Sequence, residues 1–172
     1  VAELSSHQMD ILEWIMDTRP ATIMGTGGIE YWKDGRETRD NIHLLLRYEN
    51  GVTASFTSLT TNAYEGFRMT FLGTKGTLVT TLDEAWVSQN DRGEDVPDDV
   101  DAVSGATSAW GSGPGYVIKP ARFNATRNAL AAFRESVLGN TQPAASVDYA
   151  LATARTVQLS LDAMDSGEVL EY

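Results

Sequence analysis

Residues 41–58, NIHLLLRYENGVTASFTS, decide the fold class of this chain. The stretch opens with an apolar run at 44–46 and closes with a segment in which apolar residues alternate with Thr and Ser. That alternation has the period of two expected of a β-strand with one face toward water. Between the two halves, Asn50-Gly51 is typical of a type I′ turn, because both residues tolerate a positive φ. The stretch therefore predicts an antiparallel β-hairpin with one polar face.

Working outward from this hairpin, the same reasoning predicts further strands at residues 21–26, 68–72, 77–81, 86–88 and 169–172. A first helix begins at Ser5 or Ser6, either of which can cap it, and ends before Pro20. Three stretches carry apolar residues at helical spacing. They are Ile11, Leu12, Ile15 and Met16; Phe123, Leu130, Phe133 and Val137; and Val147, Leu151, Ala154, Val157, Leu161 and Met164.

The second and third helices are expected to end at Gly139 and Gly167, and Ser146 is expected to cap the third. Strands followed by helices predict an α+β fold, with an open, mainly antiparallel (mixed) β-sheet and helices packed on one face. A length of 172 residues predicts one domain over the whole chain. Because the chain begins at Val1, close to a helix start, we expect it to be part of something longer.

The composition argues against several classes of function. The 24 acidic residues against 13 basic ones give a net charge of −11, which disfavours binding to nucleic acid or to anionic lipid. The absence of Cys excludes disulfides, zinc–thiolate sites and cysteine nucleophiles. No apolar run approaches the roughly 18 residues of a membrane span. We therefore expect neither a nucleic-acid partner nor a membrane partner.

Much of the negative charge is concentrated between Asp83 and Asp101, and this segment runs on into residues rich in Gly, Ser and Pro. Repelling acids followed by such residues predict an exposed acidic loop at about residues 90–118. The acids lack the Asp-x-Asp-x-Asp-Gly order of a calcium loop. The sequence therefore predicts no metal site.

The glycine-rich stretches do not complete a nucleotide-binding motif. Gly25-Thr26-Gly27-Gly28 begins like a dinucleotide fingerprint, but Glu30 stands in place of the last glycine and no helix pattern follows. The Gly111-x-Gly113 pair fails in the same way at Tyr116. Gly-x-Ser-x-Gly and His-Glu-x-x-His are also absent. We therefore expect no cofactor-binding residue within this chain.

One histidine has a spacing that suits acid–base chemistry. His7 lies at the start of the first helix, and if helical geometry extends back to Glu3, that residue and Asp10 share its face. Flanking carboxylates set the tautomer and the basicity of an imidazole, as a general acid/base requires. The same spacing also occurs in ordinary pairs on a helix surface, so both interpretations stay open.

Residues 3–78 resemble the C-terminal domain of the Gfo/Idh/MocA family of NAD(P)-dependent sugar and inositol oxidoreductases. The order and spacing of several motifs carry the resemblance. These are Ser6-His7-Gln8-Met9-Asp10-Ile11-Leu12-Glu13-Trp14, Asp40-Asn41, Glu49-Asn50-Gly51 and Gly73-Thr74-Lys75-Gly76-Thr77-Leu78, followed in the tail by residues 133–139, Gln142-Pro143, an Ala-rich helix and Leu170-Glu171-Tyr172.

The resemblance implies that this chain is the C-terminal half of a two-domain dehydrogenase, whose Rossmann domain holds NAD or NADP and is absent here. His7 matches the family histidine, and the resemblance implies that it exchanges a proton with the substrate hydroxyl. Glu3 falls on the position of an orienting aspartate and is one methylene longer. We further expect Asp10, Asn62 and Tyr64 to bind substrate.

The expected function is therefore the substrate-binding and oligomerisation half of a cytoplasmic oxidoreductase acting on a sugar, polyol or inositol-like compound. The fragment is expected to be inactive alone and to form a homo-oligomer through its open sheet. The alternative is a non-catalytic ligand-binding or dimerisation module on the same fold. A Gly-x-Gly-x-x-Gly unit and a Glu-Lys-Pro motif encoded upstream would discriminate in favour of the enzyme.

Overall fold

The computed structural model describes residues 1–3, 5–64, 66–82, 84–89, 116–119 and 124–172, and the fold is α+β with open antiparallel sheets, as predicted. The helices within these ranges are α1 (Ser5–Met16), α2 (Ala125–Gly139) and α3 (Val147–Ser166). The strands are β1 (Pro20–Gly28), β2 (Asn41–Tyr48), β3 (Thr53–Leu59), β4 (Met69–Leu72), β5 (Gly76–Thr80), β6 (Ala85–Gln89), β7 (Tyr116–Ile118) and β8 (Leu170–Glu171).

The chain divides into two compact units, each with its own four-stranded antiparallel sheet. The first unit comprises Val1–Ala63 and Thr126–Tyr172, and its sheet has the order β3-β2-β1-β8. The second comprises Tyr64–Ala125, with the order β4-β5-β6-β7. The last strand is an edge strand, as predicted, because β8 pairs only with β1 within the described sheet.

Alternation along β2 builds the core of the first unit. Ile42, Leu44 and Leu46 are buried on one face of the sheet, while His43 and Leu45 are exposed on the other. Successive side chains of a strand point to opposite faces, so this strand buries every second residue. The sheet therefore has one covered face and one open face, as residues 41–58 predict.

The hairpin turn between β2 and β3 differs from the predicted type I′ turn. The N–H of Gly51 donates to the carbonyl of Tyr48 at 3.0 Å, and Gly51 has a φ of 85°, whereas Asn50 does not have a positive φ. The Asn50 side chain instead accepts a hydrogen bond from the Val52 N–H at 3.1 Å. Only one left-handed residue is needed in such a turn, and Gly51 supplies it.

Helix α3 packs directly on β1, and Gly25 permits the close approach. A Cβ at that position would meet the Leu44 side chain, and would lie 3.0 Å from Met164 Cγ and 3.1 Å from the His43 carbonyl oxygen. Ser146 occupies the N-cap position but its side chain makes no capping hydrogen bond. The helix ends as predicted at Gly167, whose N–H donates to the Ala163 carbonyl.

The predicted apolar stripes of α1 and α3 are buried only in part: Leu12 and Leu161 pack against the core, as do the buried Val157 and Met164. Val147 and Leu151 at the start of α3 are exposed, whereas Val157 and Met164 are buried among small hydroxyl residues such as Thr156. The buried residues of α1 are Ser5, Met9 and Glu13, and not the predicted apolar set, of which Ile15 is exposed. A helix presents several possible stripes, and packing selects one of them: α1 packs on α3, and α3 packs on β1.

Helix α2 is confirmed in the C-terminal part of its predicted range, but its apolar residues contribute nothing to the core. Leu130, Phe133 and Val137 are all exposed, with Leu130 at 64%. Phe123, assigned to the same face by the sequence, lies outside the described residues. The helix includes Gly139, and the left-handed residue that follows is Asn140, with a φ of 48°.

The second unit contains the predicted hairpin of β4 and β5, in which the Gly73 N–H donates to the Gly76 carbonyl at 2.9 Å. The strand predicted near Trp86 is β6, and β7 completes the sheet. Of the acidic loop predicted at 90–118, residues 90–115 lie outside the described part, and 116–118 form β7. Among the helices in the described ranges, none combines the length and apolar character needed to cross a membrane.

Candidate functional site

A cleft in the first unit lies between α1 and the N-terminal part of α3. It measures about 630 Å³ and is mostly apolar, which is a size and character typical of small-ligand sites. Ser6, His7, Asp10 and Trp14 line it from α1, with Trp14 69% exposed at the opening. The facing wall is lined by Ala144, Ala145, Ser146, Tyr149, Ala150, Thr153, Ala154 and Val157.

His7 and Asp10 are brought together in this cleft, as their spacing of three on a helix predicts. Both side chains are exposed to solvent. A histidine and an aspartate therefore line one mostly apolar cavity, and polar groups in such a cavity can orient a small polar ligand.

Glu3 is not held against His7. Helix α1 begins at Ser5, so the helical geometry that would place Glu3 on the histidine face does not extend back to it. Within the described ranges no hydrogen bond or ion pair joins the two side chains, and the Glu3 carbonyl accepts a hydrogen bond from the Ser6 hydroxyl at 3.0 Å. Glu3 is exposed and is not one of the cleft-lining residues.

The remaining predicted binding residues lie outside the described cleft. Asn62 is exposed near the end of the first unit, and Tyr64 opens the second unit with 80% of its surface exposed. Within the first unit the structure therefore groups Asp10 with His7 and does not group Asn62 with them.

Behind the cleft lies a buried polar network that the sequence did not predict. Glu13 is only 1% exposed and is surrounded by hydroxyl groups of α3. Thr156 donates a hydrogen bond to Glu13 Oε1, and Thr153 Oγ1 lies 3.3 Å from Glu13 Oε2. The Thr153 hydroxyl also lies 3.0 Å from Asp10 Oδ1. Thr153 is therefore shared between a buried carboxyl and a carboxyl in the cleft.

Burial dominates the electrostatics of this network. Desolvation raises the pKa of Glu13 above the ordinary value of 4.5, against the lowering effects of its hydrogen bonds to α3 and of the Arg19 charge. Arg19 Nε lies 3.7 Å from Glu13 Oε2. Burial also raises the pKa of Tyr48 to about 12, with the Glu13 charge as a second cause. The Tyr48 hydroxyl is buried and has no hydrogen-bond partner among the described residues.

A sequence signal for Glu13 exists but is ambiguous. Glu13 follows Met9 by four residues and therefore shares its stripe on α1. Its partners Thr153 and Thr156 are more than 130 residues away in the chain, at separations of 140 and 143. Helix periodicity cannot identify such partners, since only the packing of α1 on α3 brings them within reach.

The described residues do not form a dinucleotide site. The Gly25-Thr26-Gly27-Gly28 run lies inside β1 and is paired along its length with β2. A phosphate cradle needs those glycines free at the start of a helix, so this stretch cannot serve as one. No group of three or more His, Asp or Glu in the described ranges has the arrangement to hold a metal ion.

Comparisons with known proteins agree with the motifs. The family model described as the GFO/IDH/MocA C-terminal domain matches residues 1–79. A structure described as an oxidoreductase from Thermotoga maritima is similar with a TM-score of 0.73 and 13% identity. The alignment covers 98% of this chain and 45% of that one. No curated protein sequence matches the chain.

Two further structures are similar. The aldose-aldose oxidoreductase from Caulobacter crescentus, solved with glycerol, has a TM-score of 0.62 and 16% identity. The alignment covers 97% of this chain and 45% of that protein. The WlbA dehydrogenase from Bordetella pertussis, in complex with NADH and UDP-GlcNAcA, has a TM-score of 0.67 and 14% identity. The alignment covers 99% of this chain and 45% of that protein.

This chain thus spans about half the length of these solved proteins. At such identities the structures establish the fold alone, and the family model matches 79 of the 172 residues. Over residues 1–79 the chain is similar to the GFO/IDH/MocA C-terminal domain, and over nearly its whole length it shares its fold with these solved oxidoreductases.

Proposed function

We propose that this chain is the substrate-binding half of a nicotinamide-dependent oxidoreductase that acts on a sugar, polyol or inositol-like hydroxyl or carbonyl group. The observation that carries the proposal is the placement of His7 and Asp10 on one wall of an apolar cleft, in a domain similar to this family. The cleft volume of about 630 Å³ is sufficient for a monosaccharide-sized ligand.

His7 is the acid/base of the proposed reaction. Oxidation of an alcohol requires removal of the hydroxyl proton, and a histidine titrates close enough to neutral pH to accept and return it. The Asp10 carboxylate can accept hydrogen bonds from neighbouring hydroxyl groups. Trp14 and the alanines of the facing wall offer apolar surface to the C–H face of a sugar ring.

The other residues of the proposed site have less structural support. Glu3 would orient His7 only if the segment before α1 rearranged when the rest of the enzyme is present. Asn62 and Tyr64 remain proposed substrate ligands on the family resemblance alone. The proposed enzyme is cytoplasmic.

Two partners belong to the same proposal. NAD or NADP would bind to a Rossmann domain outside this sequence, because the described residues offer no phosphate cradle. The open face of the first sheet, which includes exposed His43 and Leu45, would mediate a homo-oligomer. An apolar residue in an exposed strand is suited to burial against a second copy.

The test is turnover by the protein that joins this chain to its nucleotide-binding half. A panel of sugars and polyols is offered, and absorbance of the reduced cofactor is followed. We expect His7→Ala to lower turnover by about 10²–10⁴-fold with little change in fold. Gln158→Ala is the control, since Gln158 is an exposed residue of α3 that does not line the cleft.

Full turnover by the His7→Ala protein would exclude the role given to His7. A protein that binds a sugar without oxidising or reducing it, even with cofactor present, would indicate the non-catalytic module instead.

A further inference from the structure

Thr153 stands between two carboxyl groups that belong to different environments. Its Oγ1 lies 3.0 Å from Asp10 Oδ1, which lines the cleft, and 3.3 Å from Glu13 Oε2, which is buried. A threonine hydroxyl carries a single proton and can donate only one hydrogen bond at a time. The two carboxyl groups therefore compete for one donor.

The outcome of this competition depends on the charge of Glu13. An ionised carboxylate is a stronger acceptor than a neutral carboxylic acid, because hydrogen bonds to charged groups are the stronger ones. When Glu13 is ionised it attracts the Thr153 proton. When Glu13 is protonated that attraction weakens, and the Thr153 proton is available to Asp10.

We infer that Glu13 is a positioning residue for the cleft: through the Thr153 hydroxyl, its protonation state decides whether Asp10 receives a hydrogen bond from within the protein. With that bond made, the Asp10 carboxylate is fixed in direction and one of its oxygens is partly satisfied. With that bond lost, both oxygens are available to hydroxyl groups of a ligand. The cleft thereby changes its acceptor capacity with pH.

The other groups facing Glu13 act on its charge in opposite directions. Burial favours its neutral form, while Arg19 at 3.7 Å favours the ionised form. Thr156 donates to the opposite oxygen, Oε1, and so leaves Oε2 for Thr153. From β2, Tyr48 contributes a hydroxyl whose raised pKa keeps it neutral.

The inference deepens the proposed function, and its test does not require that function to be correct. Carboxyl carbons of the 172-residue chain are followed by carbon NMR as the pH is varied, with no ligand present. We expect the Asp10 carboxyl signal to show a second step at the pH where Glu13 titrates. A single Asp10 step in the wild-type chain would overturn the inference.

Three variants separate a hydrogen-bond relay from simple repulsion between two charges. Thr153→Ser keeps the hydroxyl and should keep the second step. Thr153→Val removes only the hydroxyl and should lose most of it, and Glu13→Gln should abolish it. A second step of undiminished size in Thr153→Val would show that the coupling passes through space, and would also overturn the relay.

A functional measurement adds a readout that a structural role would not change. In the protein joined to its nucleotide-binding half, KM for an accepted polyol should vary by about tenfold across the Glu13 titration, the effect of one charge-assisted hydrogen bond. In Glu13→Gln that variation should be absent, while kcat remains dependent on His7. If no polyol is turned over, the proposed function fails and the NMR result still decides the relay.

Discussion

The Thr153 hydroxyl lies 3.0 Å from the Asp10 carboxylate, although 143 residues separate the two in the chain. This contact joins α1 to α3 at the point where both helices line the cleft. Because the same hydroxyl also approaches buried Glu13, the wall of the cleft is connected to the interior of the domain.

Cofactor binding is the first prediction. We expect the 172-residue chain to bind no NAD(H), since its Gly25–Gly28 run is committed to pairing with β2. Titration calorimetry of the chain with NADH should give no heat of binding, whereas the protein joined to its nucleotide-binding half should bind. Micromolar affinity of the chain alone would contradict the prediction.

The second prediction concerns the pH dependence of stability at Glu13. Its pKa is raised in the folded protein, so folding takes up a proton between pH 4.5 and the raised value. The protonated form of Glu13 therefore makes its full contribution to the free energy of unfolding below pH 4.5. That contribution is lost as the pH rises through the folded-state pKa.

Glu13→Gln cannot titrate at this position. Relative to wild type, the variant should gain stability as the pH rises, by about 1.4 kcal/mol for each unit by which the pKa is raised. Urea unfolding followed by tryptophan fluorescence, repeated between about pH 4 and 8, measures the difference. A difference that does not change with pH would mean that Glu13 has an ordinary pKa.

The third prediction compares two tyrosine hydroxyls. The Tyr48 hydroxyl is buried without a partner among the described residues, whereas the Tyr172 hydroxyl donates to the Ala152 carbonyl at 3.2 Å. A desolvated, unsatisfied polar group costs about 1–3 kcal/mol, and a typical satisfied one contributes about 1 kcal/mol.

Tyr48→Phe should therefore raise the free energy of unfolding by about 1 kcal/mol, and Tyr172→Phe should lower it by a similar amount. Urea unfolding of the two variants under one buffer condition provides the measurement. Equal destabilisation by both substitutions would show that the Tyr48 hydroxyl is satisfied in solution.

The fourth prediction tests the close approach of α3 to β1. Gly25→Ala places a methyl group against Leu44 and 3.1 Å from the His43 carbonyl oxygen, so we expect a loss of about 1–3 kcal/mol. Gly139→Ala is the matched control, since its methyl group would meet Thr141 at an ordinary 3.5 Å.

The control substitution lies within α2 and should be neutral or should stabilise by up to about 1 kcal/mol, because alanine favours helix. Thermal unfolding followed by circular dichroism compares the two. The packing argument fails if Gly25→Ala is as stable as Gly139→Ala.

Local sequence determined the elements of this fold. The alternation in residues 52–58 specifies which face of β3 is exposed, because a strand has only two faces: Thr53, Ser55 and Thr57 are exposed, whereas Ala54 and Phe56 are half-buried. Gly167 ends α3 since it reaches a φ of 71° without a Cβ penalty. The pairing of His7 with Asp10 in the cleft likewise follows from helical spacing.

Tertiary structure alone decided which stripe of each helix is buried. A helix can turn several stripes inward, and apolar residues such as Ile15 of α1 and Leu151 of α3 stay exposed because the packing of these helices does not cover them. The contact of Glu13 with Thr153 and Thr156 depends on where two helices cross, which periodicity within either helix does not specify. The sequence by itself therefore determined the strands, the helix ends and the histidine–aspartate pair, whereas the buried glutamate network required the packed structure, because its partners meet only through long-range contacts.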